Sequence, residues 1–544
     1  MLSSIFYLLR VKVISLFEIT SSDLLGRKGV IETKKGLIRT PAFVPVVHPE
    51  STKNLIDVKN FQSKFNIDFI ITSSYILKRR FGDESINLHD LTSFQGPIMT
   101  DSGAYQSLVY GEIEFTPQSV VDFQESIGSD FAVPLDIPVA LIDTYPTAKK
   151  KTLETIKRSK NLPNLVSNDD INWVAPIQGG RYLDLVERSA KQLTRVDLYK
   201  MFAIGSVVEI MKNYQYDTLI EIILTAKKFL DPSKPVHLFG AGHPSMFPFI
   251  VAAGCDTFDS AAYALYAQEG RYLTNTQTFL LSELEEFPCH CPVCSSLTPS
   301  TLREMAKPER MRCLATHNLY VCQTEIMNIR RAISSGTLWS LLENRSRAHP
   351  NLKKGFDVLL KHSSQLISTS PSTKKKGLFF VSSTDIVRPE VLLHYNRINQ
   401  LTFKKSKLLL ISLLGNKDFE LYEYIKKIKS IVKDNEKLIK NYEIWILTEY
   451  YGIIPLEISE VFPLSQSVFS HNLTNEQVTK TILDTLTFIT KQSFSDVFLL
   501  GDLNEFLQIL PTIKSKINFK GYSFSTSLKP FENISLILDL ITKV

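Results

Sequence analysis

Gly254-Cys255-Asp256-Thr257-Phe258-Asp259-Ser260 reads as a short strand that ends in a carboxylate. An apolar run closes at Phe258, Asp259 follows at once, and Ser260, Ala261 and Ala262 leave space around it. A carboxylate at the end of a strand can serve as a nucleophile if its site holds it ionised and aimed. Upstream the same pattern recurs: a short apolar or β-branched run ends in a polar or small residue, and helix-like sequence follows. Cys255 to Ser260 is the last of eight such runs. The others are Ala42 to Val47, Phe69 to Ser74, Ile98 to Gly103, Phe131 to Asp136, Trp173 to Gln178, Met201 to Ser206 and Val236 to Ala241. Strands alternating with helices imply a parallel sheet, because each crossover needs a helix. Eight of them predict an α/β fold closed as a (β/α)8 TIM barrel. An open doubly wound sheet competes, but no Gly-rich dinucleotide fingerprint follows the first run. Asp101, Asp136, Gln178, Gly205 and Asp259 fall at run ends, and in a barrel those ends share the face where active sites sit.

At 544 residues the chain exceeds one ordinary domain. We expect a barrel domain over 1–280, a zinc-binding segment with barrel-closing helices over 281–345, a helix and linker over 346–376, and a smaller α/β domain over 377–544. The linker is marked by Ser-Thr-Ser-Pro-Ser-Thr-Lys-Lys-Lys at 368–376. Hydrophobic residues at 44% and charged residues at 22% describe a soluble globular protein. A net charge of +6 permits a polyanionic partner without demanding one. Met1 to Phe17 is apolar but interrupted by Arg10 and Lys12. No uncharged run approaches the roughly 18 residues a membrane span needs, so no membrane partner is expected. That segment reads as an extra N-terminal strand or a mis-chosen start codon.

Cys289-His290-Cys291-Pro292-Val293-Cys294 and the later His317 give the spacing C-x-C-x2-C-x22-H. Three thiolates and an imidazole would satisfy a tetrahedral, structural zinc with no open position. Cys313 could replace a ligand on spacing alone, and His290 is also in reach. Such clustering suits a metal site in a reducing compartment better than a disulfide framework, so a cytoplasmic location is expected. His317 is expected to open a helix running to Ile333, whose Arg330 and Arg331 are either a solvated end or phosphate contacts. Thr147 to Leu162 carries six Lys and Arg residues, read as a solvated helix face or a nucleic-acid patch.

Met99-Thr100-Asp101-Ser102-Gly103-Ala104-Tyr105-Gln106 is the second informative stretch. Asp101 offers a second carboxylate, Tyr105 an aromatic face and Gln106 a paired donor and acceptor. A flat heterocycle requires both a stacking face and an edge-reading group. Two carboxylates facing one glycosidic carbon permit double displacement with retention, provided their environments hold them in different protonation states.

These stretches, with GSDFAVPLDIP, APIQGGRY, AIGSVVE, HLFGAGHP, GCDTFDSAAYALYAQEGRYLT and CHCPVC, resemble the tRNA-guanine transglycosylases of the archaeal type, from about residue 30 to 340. The resemblance implies a pentosyltransferase that exchanges guanine at position 15 of tRNA for 7-cyano-7-deazaguanine, in archaeosine formation. By position, Asp259 would be the nucleophile and Asp101 the general acid/base. Tyr105 would stack on the base, and Ser102, Asp136, Gln178 and Gly205 would read its edges. Ser206, Val207 and Val208 would shape the pocket for a neutral nitrile, and zinc at Cys289, Cys291, Cys294 and His317 would brace the tRNA-gripping region. A homodimer is implied. The family's RNA-binding PUA domain is not recognisable here, so a separate PUA protein is a candidate partner. Ser73 stands where the family often has asparagine. The alternatives are an archaeosine synthase-like enzyme or a non-catalytic tRNA-binding paralogue; each tends to lack the carboxylates retained here.

Overall fold

The computed structural model describes residues 16–82, 84, 86–104, 115–168, 170–374, 376–414, 421–433, 435–469, 473–501 and 518–523. Two compact units divide between Lys361 and His362.

The first unit begins with an antiparallel sheet that the sequence reading did not anticipate: β1 (Phe17–Asp23), β2 (Gly26–Thr33) and β3 (Gly36–Thr40). Eight short strands follow: β4 (Ala42–Pro45), β5 (Ile70–Ser73), β6 (Ile98–Asp101), β7 (Phe131–Ala132), β8 (Asn172–Ile177), β9 (Met201–Ile204), β10 (Val236–Leu238) and β11 (Thr257–Ser260). They form one parallel sheet in the order β4-β11-β10-β9-β8-β7-β6-β5. A parallel bridge between Val46 and Ile71 brings its two edges together and closes the barrel. All eight expected runs thus carry barrel strands. β7 is only two residues long, because Pro134 has no N–H to continue the ladder.

Alternation along each strand splits the core in two. Val44, Ile71, Met99, Val174, Met201 and Ala203 cluster with Phe17, Ile31 and Ile38, so the β1–β3 sheet packs on the barrel's apolar interior. That sheet runs directly into β4 and so covers the N-terminal end of the barrel, leaving the C-terminal end for chemistry.

After β11 come a helix (Ala262–Gln268) and a hairpin of β12 (Arg271–Leu273) and β13 (Thr278–Leu280). The helix expected to open at His317 starts earlier, at Lys307, and runs to Ser335 with Pro308 in its first turn. Arg330 is half-buried and its guanidinium is engaged by backbone: its Nε donates to Pro41 O at 2.9 Å and its Nη2 to Arg39 O. On the basic helix (Tyr145–Asn161), Lys151 pairs with Asp143 at 2.6 Å and Arg158 with Glu154 at 3.2 Å. Lys149 and Lys150 are left exposed.

The second unit contains β14 (Leu378–Phe380), β15 (Lys407–Ser412), β16 (Tyr442–Thr448), β17 (Gly452–Pro455), β18 (Ser467–Phe469), β19 (Asp496–Gly501) and β20 (Asn518–Ser523). The larger sheet has the order β17-β16-β15-β19-β20, with only the β16–β17 pair antiparallel. This unit starts ahead of residue 377 because its flanking stretch is packed into it. Leu366 is fully buried, and Lys374 forms a buried ion pair with Glu390.

Candidate active site

The C-terminal ends of the barrel strands surround a cavity of about 930 Å³. Asp101, Ser102, Asp136, Gln178, Gly205 and Asp259 all line it, although they come from five different strand ends. Ser206 and Val208 line it as well. Val207 does not line it and is fully buried, its carbonyl accepting from Met211 N–H at 2.9 Å. Tyr105 and Gln106 lie outside the described residues.

Asp101 closes β6. Its Oδ1 accepts from the Gly103 N–H at 2.9 Å. The turn requires glycine: Gly103 has φ +81°, and a Cβ there would sit 2.1 Å from Tyr75 Cβ. Burial pushes the Asp101 carboxyl up to about 7. Charges on Asp259 and Asp136 push the same way, against the pull of the Ser73 hydroxyl and the Gly103 N–H. At neutral pH a proton is therefore shared nearly evenly between bound and released.

Asp259, on β11, is 8% exposed. Its Oδ1 accepts from the Gly240 N–H at 3.0 Å and lies 3.1 Å from His237 Nε2. The third carboxylate, Asp136, accepts from Ser102 Oγ at 2.8 Å and from Gln178 Nε2 at 2.6 Å. Burial raises its carboxyl too, with those two donors opposing the rise. Gln178 Oε1 accepts from Ser206 Oγ, which in turn accepts from the Val139 N–H at 2.7 Å. Ser206 holds φ +62°, a left-handed conformation uncommon outside glycine, to bridge these two groups. Gly205 must stay small, because a Cβ would lie 2.5 Å from Gln178 Nε2. Its N–H is used by Ile177 O at 3.0 Å, so only its carbonyl remains to meet a ligand.

A second cluster lies beyond the barrel. The ligand atoms of Cys289, Cys291, Cys294 and His317 all lie within 4.8 Å of one another, and the group could hold a metal ion. Cys291 Sγ is 3.6 Å from Cys294 Sγ and 3.5 Å from His317 Nδ1; Cys294 Sγ is 3.4 Å from Nδ1. The other ring nitrogen, Nε2, contacts Leu273 O at 2.9 Å, which fixes the ring with Nδ1 facing the sulfurs. Tyr272 stacks on that ring with centroids 3.7 Å apart. Cys313 and His290 take no part in this group.

Two site groups escaped the sequence reading, His237 and the Gly240 N–H. A single histidine within an apolar run looks like core, and only the strand register reveals what it faces.

A family model described as Queuine tRNA-ribosyltransferase matches residues 22–351. The chain is 38% identical over 496 residues to a tRNA-guanine(15) transglycosylase of Saccharolobus solfataricus, covering 90% of this chain and 97% of that protein. It is 36% identical over 489 residues to a protein of the same description from Sulfolobus acidocaldarius, covering 89% and 95%. One from Methanococcus vannielii is 40% identical over 463 residues, covering 83% of this chain and 69% of that protein. No helix among the described residues is long and apolar enough to cross a membrane.

Proposed function

The chain belongs to the queuine tRNA-ribosyltransferase family, and from that premise we propose that it exchanges guanine at position 15 of tRNA for 7-cyano-7-deazaguanine by double displacement on Asp259 and Asp101. Membership carries the class of chemistry, pentosyl transfer on tRNA. One observation supports the residue roles above all: two carboxylates from strands far apart in sequence line one cavity, in unlike environments.

Asp259 attacks the ribose C1′ of the target nucleotide and holds it as an ester. Asp101 gives its proton to the departing guanine and later takes one from the incoming base. A carboxyl raised to about 7 is suited to both directions near neutral pH. Guanine presents two kinds of donor on one edge, N1–H and the 2-amino group. The Asp136 carboxylate and the Gly205 carbonyl are acceptors for that edge, and Ser102 and Gln178 hold Asp136 in place. The preference for a neutral nitrile rests on the uncharged Ser206, Val207 and Val208; the neighbouring Glu209 also lines the cavity, with its Oε2 accepting from the Leu141 N–H at 2.8 Å. Tyr105 remains assigned by resemblance as the stacking group, and Gln106 by its residue type as an edge-reading group. Both carboxylates are present, which argues against a non-catalytic role.

We assign the metal as zinc. Zn–S bonds of about 2.3 Å and a Zn–N bond of about 2.0 Å, set tetrahedrally, place sulfurs about 3.8 Å apart and sulfur and nitrogen about 3.5 Å apart. The observed separations of 3.4–3.6 Å fit. All four positions are filled by protein, so zinc would brace the β12 hairpin and the Lys307–Ser335 helix rather than take part in the reaction. A homodimer, expected from the family, would sediment at twice the chain mass.

The test is exchange of radiolabelled guanine into a tRNA transcript, followed by its displacement with 7-cyano-7-deazaguanine. The wild-type chain should incorporate label at position 15 and trap a protein–RNA adduct on a denaturing gel. Asp259→Asn should do neither. Adduct formation by Asp259→Asn at the wild-type rate would overturn the assignment.

A further inference from the structure

Beneath Asp259 the barrel interior is polar where it would ordinarily be aliphatic. His237 on β10 and Thr257 on β11 are both fully buried and stand directly opposite each other in the ladder. Alternation puts Thr257 and Asp259 on the inward face, while Phe258 packs outward against Phe247 with ring centroids 4.7 Å apart. His237 Nδ1 lies 2.8 Å from Thr257 Oγ1, and Nε2 lies 3.1 Å from Asp259 Oδ1. The Gly240 N–H reaches the same oxygen at 3.0 Å. Oδ1 is thus held by the imidazole and a backbone N–H, and Oδ2 accepts from no described residue. A buried imidazole costs stability unless both nitrogens are matched. Here one match is a threonine placed by register and the other is the carboxylate itself.

We propose that His237 is a positioning residue for Asp259: Nε2–H donates to Oδ1, the Thr257 hydroxyl donates to Nδ1 and fixes that tautomer, and Oδ2 is left aimed into the cavity as the attacking atom. This rests on Asp259 being the nucleophile. In the first displacement Oδ2 bonds to C1′ as the C1′–N9 bond breaks, the leaving nitrogen takes the Asp101 proton, and Oδ1 becomes the ester carbonyl. In the second, the incoming base gives its proton to Asp101 and bonds to C1′, the C1′–Oδ2 bond breaks, and the electron pair returns to the carboxylate. A hydrogen bond to a carboxylate is roughly twice as strong as one to a neutral acceptor. The His237 contact therefore strengthens as the ester breaks down, and its loss slows breakdown more than formation.

The experiment compares wild type, His237→Leu, His237→Gln and Thr257→Val in guanine exchange, with the trapped adduct quantified at steady state. His237→Leu should lower kcat roughly 10- to 100-fold, the loss of one hydrogen bond to a charged group, with KM for tRNA within about twofold. The fraction of enzyme held as adduct should rise. His237→Gln, whose amide N–H reaches the place of Nε2, should recover part of kcat. Thr257→Val should lower kcat in the His237 background but add little in His237→Gln, since the threonine acts through the ring. A loss shared between kcat and KM, with the adduct fraction unchanged and no recovery by glutamine, would reduce His237 to packing. If His237→Leu does not fold, the glutamine and valine variants decide the matter on the same readouts. Absence of any adduct in wild type would instead remove the nucleophile assignment itself.

Discussion

Asp101→Asn should stabilise the protein while abolishing exchange, and its stabilisation should grow with pH. The folded-state carboxyl sits at about 7 against an ordinary 3.8, because it is buried beside two other carboxylates. A raised value means that the folded chain keeps a proton the unfolded chain has released. Stability is therefore lost as pH rises from about 4 to about 7, and the loss is complete above that. At about 1.4 kcal/mol per pH unit, the cost is about 2 kcal/mol at pH 5.5 and about 4 kcal/mol at pH 8.5. Asparagine carries no such cost. Its own constant effects, such as a weaker bond from the Gly103 N–H, cancel when the difference between the two proteins is compared across pH. With an unfolding entropy of about 2 cal/mol/K per residue over about 350 residues, ~2 kcal/mol corresponds to ~3 °C in Tm. Differential scanning calorimetry at pH 5.5 and 8.5 should show the variant's advantage widening by about that amount. An advantage that is the same at both pH values would mean that Asp101 ionises as an ordinary carboxyl, and the acid/base role would lose its physical basis.

Arg27→Met should destabilise the barrel unit by about 3–5 kcal/mol in urea denaturation, because it strands the buried Asp256 carboxylate without its cation; a change below about 1 kcal/mol would contradict this. Chelation, or Cys291→Ser, should release one equivalent of zinc by atomic emission and lower Tm, while the metal-replete chain keeps full exchange activity. Asp136→Asn should lower kcat/KM for the incoming base roughly 10- to 100-fold, the loss of a charged acceptor, and leave tRNA affinity by filter binding unchanged. Affinity for tRNA should fall with added salt if Lys149 and Lys150 meet phosphates, and Lys149→Ala/Lys150→Ala should flatten that slope.

The barrel was legible because its signal is repeated: eight apolar runs, each stopped by a polar or small residue, leave few other folds. The site was legible for the same reason, since a residue that ends such a run is delivered to the cavity by the fold. What depended on neighbours rather than on chain order was hidden. The β1–β3 sheet has only the alternation of FEITSSD, GRKGVIET and GLIRT to announce it, and much of that is charged or polar on its outer side. Arg330 read as either a solvated helix end or a phosphate contact, because nothing local reveals that its guanidinium clamps Arg39 and Pro41. His237 needed the β10–β11 register, in which it falls opposite Thr257 rather than Phe258. A shift of one residue would have turned it out of the barrel.

The opening heptapeptide contains two aspartates three positions apart, and their neighbours divide the labour between them. Asp256 is fully buried beside a permanent cation: Arg27 Nε donates to its Oδ1 at 2.9 Å, and the Val236 N–H donates to its Oδ2 at 2.8 Å. Arg27 goes on to donate to the Lys234 carbonyl at 3.0 Å, tying β2 to the approach to β10. With both oxygens held, Asp256 serves as a structural anion. Asp259 is held on one oxygen only, by His237 Nε2 and the Gly240 N–H, so it is oriented with its other oxygen left open. Across the cavity Asp101 is desolvated among other carboxylates and keeps a proton near neutrality. On the proposed mechanism, one side-chain chemistry thus serves as anchor, nucleophile and acid according to the groups that stand beside it. This is why the identity of the residues at the strand ends was informative, and why the roles proposed for them draw on their neighbours.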